Sequence, residues 1–82
     1  MNELWYFYAD WCHYCKQQTP VLDEYIERHP EISVIKILES ENKDAIEQNN
    51  IKGFPTFFVF KKDGSSKVLD GLQTPDLLEA IF

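Results

Sequence analysis

Glycine is scarce in this chain and cysteine scarcer, three and two among 82 residues. Small secreted folds that cannot build a sufficient core are stapled by several disulfides. Two cysteines do not make such a scaffold, so stability has to come from packing. Cations are also short: eight Lys and Arg stand against fourteen Asp and Glu, for a net charge of −6. A polyphosphate backbone is bound by clustered positive charge, so nucleic acid is not an expected partner. The longest apolar run is Leu4-Trp5-Tyr6-Phe7-Tyr8-Ala9. It falls far below the roughly 20 residues that span a bilayer and is too aromatic for a signal-peptide core, so no membrane partner is expected. Glu3 and no basic residue precede that run, which does not read as an export signal. A start at Met1 reads as a mature, cytoplasmic chain, and a domain cut from a longer protein would read the same. No repeat, low-complexity tract or Pro/Gly/Ser linker interrupts it, and a single domain over residues 1–82 is expected.

What the chain has in quantity is apolar and aromatic side chains, 44% and 15% of the residues, which excludes disorder and a collagen-like composition. Leu4 to Tyr8 is a continuous run of strand length, the pattern of a central strand covered on both faces. A polar patch follows, with Asp10 as a possible cap. Then Cys15, Thr19, Leu22, Ile26 and His29 recur at three or four residues, marking one face of a helix that ends before Pro30. Pro20 lies inside it and predicts a kink near Thr19. Ile32 to Leu38 reads as a second strand, Ser40 to Asn50 as a short helix, and Thr56 to Phe60 as a third strand. Lys61-Lys62-Asp63-Gly64-Ser65 carries a hairpin signal and leads to a fourth strand over Lys67 to Asp70. Thr74-Pro75-Asp76 opens a final helix with Leu77, Leu78 and Ile81 on one face. The order β-α-β-α-β-β-α makes the first two strands parallel. The expected fold class is α/β, a four-stranded mixed sheet flanked by helices, with the active site beyond the carboxyl end of a strand. Both cysteines lie at such a point.

Cys12 and Cys15 are three residues apart, about one helical turn, so their sulfurs share a face and can close a small disulfide ring. A free thiol titrates near about 8.5, and a helix N-terminus favours its anion. Cys12 is thus the expected acidic thiol. Exchange follows from this: Cys12 attacks a substrate disulfide, and Cys15 then attacks Cys12 to release the reduced substrate. No cofactor is expected beyond the redox-active Cys12–Cys15 disulfide. Three other readings compete. Cys12, Cys15, His13 and His29 total four zinc ligands, although no second Cys-x-x-Cys or spaced His pair accompanies them. A purely structural disulfide would restrain little chain, and inert buried thiols fit poorly with polar neighbours.

Trp-Cys-x-x-Cys-Lys after an aromatic strand, with a later Gly-Phe-Pro-Thr, resembles the thioredoxin family over nearly the whole chain. Ala9, Trp11, Cys12, Cys15 and Lys16 match its active-site stretch and Pro20 its helix-kinking proline. Ile51, Gly53, Pro55 and Thr56 match its Ile-x-Gly-x-Pro-Thr segment, and Gly71 matches the glycine after its last strand. The resemblance implies a thioredoxin-like fold and a cis proline at Pro55 facing the cysteines. There the exposed backbone of Phe54 would hydrogen-bond an extended substrate peptide. Trp11 and Tyr14 are expected to form docking surface for partners, with core-edge packing as the other reading, while Trp5, Phe7, Phe57, Phe58 and Phe60 are expected in the core.

The departures matter too. Thioredoxins normally carry about twenty more residues before this point, and without them the chain approaches the minimal core of glutaredoxins. Tyr6 stands six residues before Cys12, where thioredoxins usually have a buried acid thought to take the proton of the second thiol. Without that acid, Lys36, on the second strand, reads as a solvated side chain. His13-Tyr14 replaces the usual Gly-Pro between the cysteines. A protonated His13 near Cys12 would stabilise the thiolate, and an exposed, inert His13 is the other reading. The expected function is thiol–disulfide oxidoreduction on disulfide-containing substrate proteins, by a monomer, with a reductase or glutathione as electron donor. A glutathione-dependent glutaredoxin is the closest alternative. A non-catalytic interaction module or iron–sulfur scaffold is a third.

Overall fold

The computed structural model describes residues 1–82. Strand β1 spans Glu3–Tyr8, helix α1 His13–Arg28 and strand β2 Ser33–Leu38. A 3-10 turn at Glu39–Glu41 leads to α2, Lys43–Gln48, followed by β3, Thr56–Phe60, β4, Ser66–Asp70, and α3, Pro75–Glu79. The sheet is mixed and ordered β2-β1-β3-β4. β1 runs parallel to β2 and antiparallel to β3, and β4 is antiparallel to β3. The run of apolar residues in β1 thus occupies an interior strand, where both faces meet other side chains.

Alternation divides β1 between those faces. Leu4 and Tyr6 point to the side of α1 and α3, opposite Val59 and Phe57 of β3. There they form the main core with Leu22 and Tyr25 of α1, Leu78 of α3 and Ile81 just beyond it. Trp5 and Phe7 point to the other side, where Trp5 lies 4.9 Å from Phe60 and Phe7 lies 4.9 Å from Phe58, ring centre to ring centre. Phe7 and Phe57 are buried as expected, but Trp5, Phe58 and Phe60 are only half-buried. The main core, with α1 and α3, lies on the opposite face.

Helix α1 continues through Pro20. Its buried stripe is Cys15, Gln18, Leu22 and Tyr25, so the expected face through Thr19, Ile26 and His29 is rotated by about one residue, and those three are half-buried. The rotation places a polar residue in the core, and that residue is fully satisfied. Gln18 Nε2 donates to the Gln73 carbonyl at 3.0 Å, and Gln18 Oε1 accepts from the Gln73 N–H at 2.6 Å. This pair ties α1 to the loop that enters α3. Thr74 then caps α3, its hydroxyl accepting from the Leu77 N–H, with Pro75 in the first turn. Leu78 and Ile81 face inward, whereas Leu77, expected beside them, is 51% exposed. A helix of five residues presents one narrow stripe, which Leu78 takes, and Ile81 turns inward just past the helix end.

At the far end of α1, His29 donates through its ring to Glu79 of α3 at 2.9 Å and meets Glu31 at 3.2 Å. Arg28 joins Glu79 at 3.1 Å and Glu24 at 3.0 Å. The bond to Glu79 raises His29 above its ordinary value and lowers Glu79 below its own.

Two outcomes are expected. Gln18→Ala strips both partners from Gln73 and should lower stability by about 2–4 kcal/mol in urea denaturation, the cost of leaving buried polar groups unpaired. A raised His29 stabilises the fold below its unfolded value of 6.5, and that gain is lost as pH climbs through the folded value. A lowered Glu79 stabilises above 4.5, and its gain is lost on acidification. Both contributions are present between these limits, so His29→Gln should lower Tm more at about pH 5.5 than at about pH 8.5.

Candidate active site

After β1 the chain turns sharply, with the Cys12 N–H donating to the Ala9 carbonyl at 3.2 Å. Cys12 is in extended conformation and is the N-cap of α1, its Sγ accepting from the Cys15 N–H at 3.2 Å. Asp10, the expected cap, lies in the preceding turn and is exposed. The turn brings Cys12 to the position from which a side chain reaches the first free N–H groups, and sulfur fills the role usually taken by oxygen.

One turn on, Cys15 is 2% exposed, against 6% for Cys12. Burial pushes the Cys15 thiol up, to about 12, and hydrogen bonding with Cys12 acts in the same direction. Both thiols are free. Below Cys15, the Tyr6 hydroxyl donates to its carbonyl oxygen at 3.4 Å and lies 3.0 Å from the Thr19 hydroxyl.

The opposite wall comes from the segment before β3. The Phe54–Pro55 peptide bond is cis. The Cys12 thiol donates to the Phe54 carbonyl at 3.5 Å, and the Phe54 side chain packs on the small cluster of Ala9, Cys12 and Cys15. Pro55 is buried, and its carbonyl accepts from the Gly71 N–H at 2.9 Å. Gly71 has φ +83°, a region that glycine enters without steric cost, so the chain can turn there to deliver that N–H. The Thr56 hydroxyl donates to the Gly53 carbonyl at 2.7 Å and braces the same segment.

Trp11, Cys12, Cys15, Phe54, Pro55 and Gly71 are therefore brought together at one end of the sheet. Trp11 stands edge-on to Phe54, ring centres 5.6 Å apart, while remaining 70% exposed, and Tyr14 is 58% exposed on the first turn of α1. His13 is exposed as well, its ring nitrogen 3.0 Å from the Gln17 amide one turn along the helix. Sequence reasoning missed two contacts. Trp11 Nε1 donates to Glu39 at 3.3 Å, and Thr19 pairs with Tyr6. Each joins segments that no local pattern connects. Lys36, read as solvated, pairs with Asp23 on α1.

The zinc reading fails on geometry. His29 lies at the other end of the 16-residue α1, bonded to Glu79, at about 1.5 Å of rise per residue from Cys15. No three His, Cys, Asp or Glu side chains form a group suited to a metal ion. No helix is long and apolar enough to cross a membrane.

Comparison with known proteins places this geometry. The thioredoxin family model matches residues 2–82. The chain is similar to a thioredoxin of Alicyclobacillus acidocaldarius, 37% identical over 75 residues, covering 90% of this chain and 71% of that one. It is also similar to a protein disulfide-isomerase of Datisca glomerata, 34% identical over 84 residues, which takes in 98% of this chain but spans only 17% of the isomerase. Among solved structures, oxidised mitochondrial thioredoxin 3 of Saccharomyces cerevisiae superposes with a TM-score of 0.82 at 28% identity, over 98% of this chain and 76% of that one. With a match of this extent and a Cys12-x-x-Cys15 pair at the head of α1, the chain belongs to the thioredoxin family and is a thiol–disulfide oxidoreductase.

Proposed function

We propose that residues 1–82 act as a single catalytic domain in which Cys12 attacks the substrate disulfide and Cys15 resolves the product. The observation that carries this reading is the asymmetry of the two sulfurs. Cys12 Sγ sits at the positive end of α1 and accepts the Cys15 N–H at 3.2 Å, at the mouth of the site. Cys15 is deeper, and burial holds it as a thiol. Only one sulfur is therefore poised to react first.

The Cys12 thiolate attacks one sulfur of the substrate disulfide. A new S–S bond forms to Cys12, the substrate bond breaks, and the leaving thiolate takes a proton from solvent. Cys15 then loses its proton and attacks Cys12 Sγ. That step closes the Cys12–Cys15 disulfide and expels the second substrate thiolate. An external dithiol or glutathione restores the reduced pair, with a reductase or glutathione as the physiological donor. The Phe54 N–H makes no hydrogen bond within the chain, which leaves it free to pair with an extended substrate backbone beside Pro55. Gly71 shapes the neighbouring edge of this groove, and exposed Trp11 and Tyr14 supply apolar contact area to a partner protein. The substrates are disulfide-bearing proteins, the chain acts as a monomer, no resident cofactor is required, and its location is cytoplasmic. His13 faces Gln17 and plays a minor part.

Cys12→Ser should abolish insulin-disulfide reduction, a loss of more than about 1000-fold, because removal of a nucleophile leaves only binding to act. Cys15→Ser should retain one fast-alkylating thiol and accumulate a mixed disulfide with substrate, visible by intact mass. Equal alkylation rates for the two single-cysteine proteins would overturn the assignment. His13→Ala should change the alkylation rate of Cys12 by less than about threefold, the scale of a screened exposed charge. Turnover with glutathione and its reductase, set against turnover with a thioredoxin reductase, separates the two donors.

A further inference from the structure

Tyr6 is the one fully buried phenol in contact with Cys15, and the exchange steps above do not use it. It sits in the middle of β1, stacked on Phe57 at 5.0 Å and on Tyr8 at 4.9 Å, so its ring has no freedom to turn away. Its hydroxyl emerges beneath the first turn of α1. There it meets two groups, the Cys15 carbonyl at 3.4 Å and the Thr19 hydroxyl at 3.0 Å. Both lie on the same helix, four residues apart. Packing alone would be served equally well by phenylalanine, and a buried hydroxyl is retained at a cost unless it is bonded.

We propose that Tyr6 is a positioning residue for the resolving step. In the resting protein its hydroxyl, steadied by Thr19, holds the Cys15 carbonyl, and as negative charge develops on the neighbouring Cys15 sulfur the phenol's one hydrogen passes from that carbonyl to the sulfur. This inference rests on the assignment of Cys15 as the resolving thiol.

The chemistry restricts the role to donation. Burial drives the Tyr6 phenol well above the ordinary tyrosine range, so it keeps its proton throughout and is not the base that deprotonates Cys15. The Cys15 proton leaves to solvent as the S–S bond to Cys12 forms. A phenol hydrogen bond is stronger to a thiolate than to a thiol, so it lowers the cost of the charged form. Consistent with this, hydrogen bonding from Tyr6 is one of the influences that lower Cys15, set against the larger effect of burial. The titratable groups that act on Cys15 are Cys12 at the head of the same helix and Tyr6 on β1. Thr19 bears on the phenol in the same sense, since its hydrogen bond lowers Tyr6 and thereby makes it the better donor.

The two steps are separable with an aromatic disulfide probe, 5,5′-dithiobis(2-nitrobenzoate), in stopped flow. Attack by Cys12 releases one coloured thiolate, and attack by Cys15 on the Cys12 mixed disulfide releases the second. In Tyr6→Phe the first phase should keep its rate and amplitude. The second should slow by about tenfold or more, the range for hydrogen bonds to charged groups, with its pH profile displaced to higher pH. Thr19→Val, which keeps the β-branched shape, should slow the second phase less and add little to the Tyr6→Phe effect in the double variant. A purely structural loss would lower amplitude or melting temperature without moving the pH profile. A second phase with unchanged rate and pH dependence in Tyr6→Phe overturns the role of Tyr6. Absence of a fast first phase in the unaltered protein overturns instead the assignment of Cys12. Should Tyr6→Phe fail to fold, an unchanged second phase in Thr19→Val overturns the role of Tyr6 in its place.

Discussion

The first turn of α1 begins with backbone N–H groups that have no partner inside the helix, and the side chain set against them is the sulfur of Cys12. Most of the site depends on this one placement. A sulfur that caps a helix is held close to positive partial charge, and the same contact fixes its distance from the cysteine one turn later. The arrangement is local in origin, because the Cys12 N–H is itself tied back to Ala9 at the end of β1. A strand, a tight turn and a helix start are enough to build it.

Keeping the two sulfurs different requires the rest of the fold. Cys15 is buried because the head of α1 is pressed onto β1, with Ala9 on one side and the Tyr6 hydroxyl beneath. The wall opposite Cys12 is a backbone carbonyl, that of Phe54, 42 residues along the chain. That wall is in turn held by the Gly71 N–H on the Pro55 carbonyl. Three segments remote in sequence therefore meet within a few ångströms, and each is secured by main-chain hydrogen bonds that tolerate side-chain change.

The strands and their order are legible in the sequence because their signals are local and redundant. Thr56–Phe60 is bounded by a proline before it and a turn after it, and Asp63-Gly64 supplies the turn. There the Asp63 carboxylate accepts from the Ser65 N–H at 2.9 Å, and Gly64 adopts φ +93°. The cysteine pair is legible for the same reason, since spacing by three residues means one turn wherever the helix begins. Less legible is the rotation of α1 about its axis. A periodic count gives equal weight to Thr19 and Gln18, and only the presence of Gln73 in the core makes burial of Gln18 favourable. Periodicity overstates the depth of Trp5, Phe58 and Phe60 for a related reason: aromatic alternation marks a face of the sheet without stating what covers it.

By itself the sequence determined the element order, the interior place of β1 and the position of two thiols at the head of a helix. These follow from hydrophobic periodicity, turn chemistry and capping, all of which act within a few residues of chain. Tertiary structure alone decided which thiol lies deeper, which oxygen atoms touch it, and that Tyr6, Thr19, Phe54, Pro55 and Gly71 converge on it. Those facts depend on contacts between residues tens of positions apart, where the free energy comes from burial and from satisfying buried polar groups, and a linear pattern carries no record of either.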